Sequence, residues 1–155
     1  MNLKFRTYTK NDKQSLIDIF ETNCPKYFDI NEKNEFIDYL DNYTNENYLV
    51  AITENQIIGC GGLYTNDIEH RIAWVMFKKN SLGVRNLMIV ADKLYSEIEK
   101  RIIAENKNFN IGITTTQLME SLFSNYGFKT YEIIKDGIGK GLDAYQMKKT
   151  AYNNS

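Results

Sequence analysis

The chain has 155 residues, 43% of them apolar and 13% aromatic, with a formal net charge of −1. That length suits one domain with a real core, the aromatic share argues against disorder, and the mixed charge favours neither nucleic acid nor an acidic membrane surface as a partner. Cys24 and Cys60 are too few for a disulfide scaffold, no apolar stretch reaches membrane length, and Met1-Asn2-Leu3-Lys4 lacks a signal-peptide core. A soluble cytoplasmic protein with reduced thiols is expected.

Leu3-Phe5-Thr7 alternates with Lys4-Arg6-Tyr8, the pattern of a half-buried first strand. Asn11 and Gln14 form a capping-box pattern that should open a helix through Leu16, Ile17 and Phe20 to the neighbourhood of Cys24-Pro25. Asn31 can cap a second helix carrying Phe36, Ile37, Leu40 and Tyr43. Tyr48 to Ile52 reads as the next strand, returning over Gln56 to Tyr64 after a tight turn at Glu54-Asn55. Gly59, Gly61 and Gly62 would weaken an ordinary strand and mark a bulge or a close backbone approach.

A fourth strand is expected over Ile68 to Phe77, holding Trp74 and the single histidine, His70. After Gly83 the longest helical pattern runs through Leu87, Ala91, Leu94, Ile98 and Ile102 to the polar run Glu105 to Asn108. Phe109 to Thr114 reads as a strand, Gln117 to Asn125 as a short helix, and Gly127 as its stop. Two last strands, Lys129 to Lys135 and Leu142 to Lys149, flank a glycine-rich link expected to be a flexible hairpin. Residues 150–155 are expected to fray, leaving 1–149 as a single domain. The order β-α-α-β-β-β-α-β-α-β-β specifies an α+β fold with a mixed sheet of about seven strands and about four helices.

The strongest local feature is the junction Val75-Met76-Phe77-Lys78-Lys79-Asn80-Ser81-Leu82-Gly83-Val84-Arg85, where a strand passes through a short polar loop into the long helix. The first amides of a helix lack partners and can hold phosphate oxygens, although a plain strand-to-helix turn would give the same loose pattern.

This junction and the element order resemble the GNAT acyltransferase superfamily. So do Ile57-Ile58-Gly59-Cys60-Gly61-Gly62-Leu63, which looks like its third strand, and Leu122-Phe123-Ser124-Asn125-Tyr126-Gly127-Phe128, similar to its L-Y-x-x-x-G-F segment. The terminal stretch Leu142 to Lys149 matches its last strand, so the resemblance spans almost the whole chain. It implies a GNAT-like fold and transfer of an acetyl group from acetyl-CoA, a co-substrate, to a primary amine by direct attack in a ternary complex. The acceptor would be a small molecule or a peptide, and a homodimer is a family-based expectation.

By the same resemblance Val75, Met76 and Phe77 would hold the pantetheine arm. Leu82, Gly83, Val84, Arg85 and Asn86 would take the diphosphate, with Thr116 and Phe123 completing the cofactor site. Alignment on the family's Q/R-x-x-G-x-G/A loop starts at Asn80, and only Gly83 matches well. Arg85 stands where a small residue is usual, and its guanidinium could crowd the diphosphate or bind it.

For the base, the resemblance points to Glu69, which on a regular strand shares parity with Arg71, Ala73 and Val75. A solvated Glu69 beside Arg71 is the plainer account. His70 is the runner-up on its unperturbed pKa of ~6.5, against a lone surface histidine. Phe123 occupies the position of the family's tyrosine acid and has no proton to give, and Tyr126 reads as core. The cysteines lack paired histidines, and no metal-ligand cluster is present, so no metal is expected. A catalytically impaired module that binds acyl-CoA or a protein partner without turnover is the alternative, favoured by Phe123 and the eroded phosphate loop.

Overall fold

The computed structural model describes residues 1–150, so the fraying expected of the tail falls outside the described residues from 151 on. Seven strands, β1 (Leu3–Thr7), β2 (Tyr48–Thr53), β3 (Gln56–Thr65), β4 (His70–Phe77), β5 (Ile111–Thr115), β6 (Lys129–Gly139) and β7 (Leu142–Lys149), form one sheet in the order β1-β2-β3-β4-β5-β7-β6. Every neighbouring pair is antiparallel except β4 with β5. The helices are α1 (Lys13–Thr22), α2 (Lys33–Asn42), α3 (Val84–Glu105) and α4 (Glu120–Asn125). The expected element order is therefore present.

Alternation along the strands sorts the core into two layers. Leu49, Leu63, Ile72, Ile111, Ile113 and Met147 pack with Leu94 and Ile98 of α3 and Phe123 of α4. On the opposite face Tyr48, Val50, Cys60 and Met76 pack with Leu16 and Phe20 of α1 and Phe36 and Leu40 of α2.

Helix starts differ from the expected caps. Thr9 and Asp12, rather than Asn11 and Gln14, make the first capping box, and Asp12 also takes two bonds from the Arg6 guanidinium at 2.7 and 2.8 Å. Asp29 with Glu32, rather than Asn31, caps the turn that leads into α2. An aspartate at either cap supplies the fixed charge that unpaired amides favour, which a neighbouring asparagine cannot.

The fourth helix begins at Glu120, not Gln117. The Gln117 side chain is committed instead to the β6–β7 turn, donating to Gly141 O and accepting from Asp143 N. The glycine-rich link is ordered strand for most of its length, since β6 runs on to Gly139. Asp136 and Asp143 accept backbone bonds across it, and Gly141, at φ 80°, makes the turn.

Candidate functional site

The parallel pair β4–β5 is joined only at His70–Ile111 and Arg71–Gly112, after which the two strands part. The result is a notch in the middle of the sheet, with the inner edge of β4 from Ile72 onward lacking a strand neighbour. A bulge enlarges it. Cys60 opposes Met76 and Gly62 opposes Ala73, so Trp74 and Val75 together face Gly61. Trp74 takes φ 44°, a left-handed conformation in which a bulky residue is a genuine outlier.

The bulge decides which side chains meet. Val75 and Phe77 join Ile72 on the α3/α4 face, whereas Trp74 and Met76 turn toward α1 and α2. Lys78 N donates to Ile58 O on β3 at 2.7 Å, but Val75 lies inside the register shift, where alternation no longer sets the direction of the amide and the Trp74–Val75 peptide plane does.

Beside the notch on the α3/α4 face lies a narrow apolar slot lined by Ile72, Val75, Phe77, Leu94, Phe123 and Tyr126. Tyr126 is not plain core. It stacks on Tyr95 at 4.2 Å and donates its hydroxyl to Asp92 Oδ1 at 2.7 Å, tying α4 to α3 along the slot. Burial, then the Asp92 bond, push its pKa upward.

The helix α3, whose Ala91 and Leu94 line the slot, begins at Val84. Gly83 is its N-cap with extended backbone (φ −67°, ψ 162°) and no capping side chain. Leu87 N bonds back to Gly83 O, so the amides of Val84, Arg85 and Asn86 precede the helical ladder. Any residue could adopt the Gly83 conformation. A Cβ there would meet nothing within 4 Å, so the glycine leaves the helix start open to a ligand. Val84, 80% exposed, and Arg85 stand at the surface, while Leu82 turns inward against Ala51, Ile58 and Val90.

Glu69 lies on the other face. A Cβ on Gly112 would touch Glu69 and Arg71, and Gly112 alternates with Ile111 and Ile113, which point toward α3. The parity argument that put Glu69 beside Val75 is therefore overturned by the extra residue at Trp74. Glu69 also sits just before β4, not within it, because Asn66 Oδ1 accepts from both Ile68 N and Glu69 N in a turn. Its carboxylate approaches Arg71 Nη1 at 3.4 Å, and Arg71 Nη2 donates to Thr114 Oγ1, which donates to Gln146 Oε1. This polar chain crosses β4, β5 and β7 on the face opposite the slot.

His70 is a buried residue, not a surface one. It occupies the closed end of the notch, with Nδ1 2.8 Å from Thr65 Oγ1 and Nε2 buried without a partner. Burial lowers its pKa. Met76 packs in the α1/α2 core, and buried Thr116 uses its hydroxyl to accept from Leu118 N in the turn before α4. Val75, Phe77 and Phe123 are thus brought together at the slot, against the middle of α3, with Met76, Thr116 and His70 directed elsewhere. Sequence reading passed over Tyr48, whose hydroxyl reaches the bulge, and the Tyr126–Asp92 tie. The tyrosine at the head of an apolar strand signalled only core.

No family model matches the chain, and no curated protein matches it in sequence. Its fold matches solved structures, one of them named as a putative acetyltransferase of the GNAT family, over 96% or more of their length. Ard1 from Thermoplasma volcanium superposes with a TM-score of 0.72 at 14% identity, covering 99% of this chain and 100% of the other. The aminoglycoside 6′-N-acetyltransferase from Enterococcus faecium gives 0.69 at 13%, covering 95% and 96%. PaiA N-acetyltransferase from Thermoplasma acidophilum, solved in complex with coenzyme A, gives 0.67 at 16%, covering 97% and 99%. The chain has the GNAT fold.

Proposed function

We propose that the chain is an acetyl-CoA-dependent N-acetyltransferase acting on a primary amine of a small molecule or a peptide. The observation that carries this reading is the parting of β4 from β5 after two residue pairs, with the loop from β4 leading straight into a helix start whose first amides are uncapped. The features fit a coenzyme A thioester: an unpaired strand edge for an amide-bearing arm, an apolar slot for its methylenes, and amides for its diphosphate. Solved neighbours named as N-acetyltransferases support the class.

In this reading Val75 and Phe77 line the arm, and Val84, Arg85 and Asn86 offer backbone donors to the diphosphate. The bound thioester supplies an activated acyl group. In this reading the Val75 amide donates to a carbonyl oxygen as negative charge develops there. The donor molecule occupies the α3/α4 face and the amine arrives from the opposite one. Glu69 stands on that arrival face, where a carboxylate can accept the amine's proton, directly or through water. Phe123 has no proton to give, and the Tyr126 hydroxyl is held by Asp92.

A thermal-shift titration with acetyl-CoA tests binding, because a ligand selective for the native state raises Tm. A rise of several degrees at saturating acetyl-CoA, followed by thiol release over an amine panel, is the expected result. Absence of any rise would end the reading, and a rise with no release on any amine would leave a binding module.

A further inference from the structure

Tyr48 opens β2 beneath the bulge and is wholly buried, and its hydroxyl donates to the carbonyl oxygen of Trp74 at 2.9 Å. Cys60 Sγ lies 3.3 Å from the same hydroxyl, a thiol that burial pushes up to about 12 and so keeps neutral. Trp74 O and Val75 N–H belong to one peptide unit. That unit is planar and trans, so its carbonyl and its N–H point in opposite directions. Pulling Trp74 O toward Tyr48, on the α1/α2 side, sends Val75 N–H the opposite way, toward the α3/α4 side where the slot borders the notch.

Resting on the acyltransfer reading above, we propose that Tyr48 is a positioning residue for the reaction: its hydroxyl clamps the Trp74–Val75 peptide and aims the Val75 amide at the acyl oxygen. Two observations and the polarisation of the peptide unit converge on it. The left-handed Trp74 persists only where its surroundings fix it, and the indole is held by Phe28 and Phe36 at ring distances of 5.9 and 5.1 Å. Those rings fix the side chain; the hydroxyl fixes the peptide plane. The backbone opposite is cut back to let Tyr48 and the bulge approach, since a Cβ on Gly62 would lie 2.6 Å from Tyr48 Cα and one on Gly61 2.9 Å from Val75 Cγ2. Finally, a donor on a carbonyl polarises its peptide, which strengthens the N–H at the other end as a donor. Tyr48 therefore acts on both direction and strength of the Val75 amide without touching substrate.

The test follows amide resonances in the labelled full chain during titration with acetyl-CoA and, separately, with coenzyme A lacking the acyl group. In the native protein the Val75 amide should shift further with acetyl-CoA than with coenzyme A, while the Val84, Arg85 and Asn86 amides shift equally with both. Tyr48→Phe should keep the α3 shifts and lose at least half of the acyl-specific shift at Val75. An undiminished Val75 shift in Tyr48→Phe overturns the clamp and leaves the acyltransfer reading standing. If the α3 amides of the native protein respond to neither ligand, the acyltransfer reading falls and takes the clamp with it. Should Tyr48→Phe fail to fold, a ring-fluorinated tyrosine at position 48 keeps the shape and strengthens the donor. The Val75 amide of the free protein must then move; if it stays in place, the clamp is refuted.

Discussion

Glu69 and Val75 stand on opposite faces of the sheet, separated by the one residue that Trp74 adds to β4. A thioester gripped by Val75 and an amine met by Glu69 would therefore approach each other through the notch rather than side by side. Glu69→Gln keeps size and hydrogen-bonding reach but cannot accept a proton. Thiol release should fall by about 100-fold or more, with the acetyl-CoA thermal shift unchanged. Unaltered release would remove Glu69 from the base role, and a lost thermal shift would place it in binding instead.

Arg85 sits in the first turn of α3, exposed, beside the amides assigned to the diphosphate. If its guanidinium bonds the phosphates, Arg85→Ala should weaken acetyl-CoA binding by about tenfold, matching one charge-assisted bond of roughly 1.5–3 kcal/mol discounted for exposure. Calorimetric titration at two salt concentrations reads both the loss and its screening. Tighter binding in the variant would show that the side chain crowds the site.

One buried group and one partly buried group make opposite contributions to stability between acid and neutral pH. His70 has a lowered pKa from burial, so the folded state favours its neutral form. Its contribution is complete above the unfolded value of ~6.5 and is lost as pH falls below it. Glu32 is pushed up to about 7, by burial first and then by Glu35 and Asp29 against the opposing Asp29 backbone bond. The folded state thus favours its protonated form, and this contribution grows as pH falls from 7 toward the unfolded carboxyl range. Urea unfolding of the native chain, His70→Gln and Glu32→Gln at pH 7.5 and 5.5 separates them. The first variant should lose less stability on acidification than the parent, and the second should lose more.

Asp12 is buried, joins Arg6 through two bonds and caps the first turn, and the Arg6 bond chiefly holds its pKa down. Asp12→Asn should cost about 1–2 kcal/mol, since Arg6 remains half in solvent and that screens the pair. The difference from the parent should vanish as pH falls through the depressed folded pKa of Asp12, because its carboxylate is then protonated in both states of the parent. Denaturant midpoints at neutral pH and near pH 2 check both statements.

Periodicity carried the element order well, because Leu16, Phe20 and Leu94, Ile98 repeat at helical spacing and Leu3 to Thr7 alternates. Glycines 59, 61 and 62 pointed to a bulge or close approach, and both occur: Gly61 faces the bulge while Gly62 lies under Tyr48. What periodicity could not supply was the site of the extra residue. A tryptophan at positive φ is dictated by tertiary packing, so no local pattern marks it, and the parity of Glu69 was misjudged for that reason. His70 illustrates a second limit. Alternation places it on a face but does not say that Phe109, packed 5.6 Å from it, covers the ring. Thr116 and Gln117 show a third, since their side chains cap a turn and brace a hairpin that lies far away in sequence.

The gap between β4 and β5 has a kinetic corollary. A chain-like ligand sliding between two strands of a continuous sheet would first have to unzip their rungs, a slow local melting. Here the rungs stop at Arg71 and Gly112, so insertion consumes no existing sheet bonds and adds new ones at once. Association should therefore proceed in a single concentration-dependent phase, without a preceding slow isomerisation of the free protein.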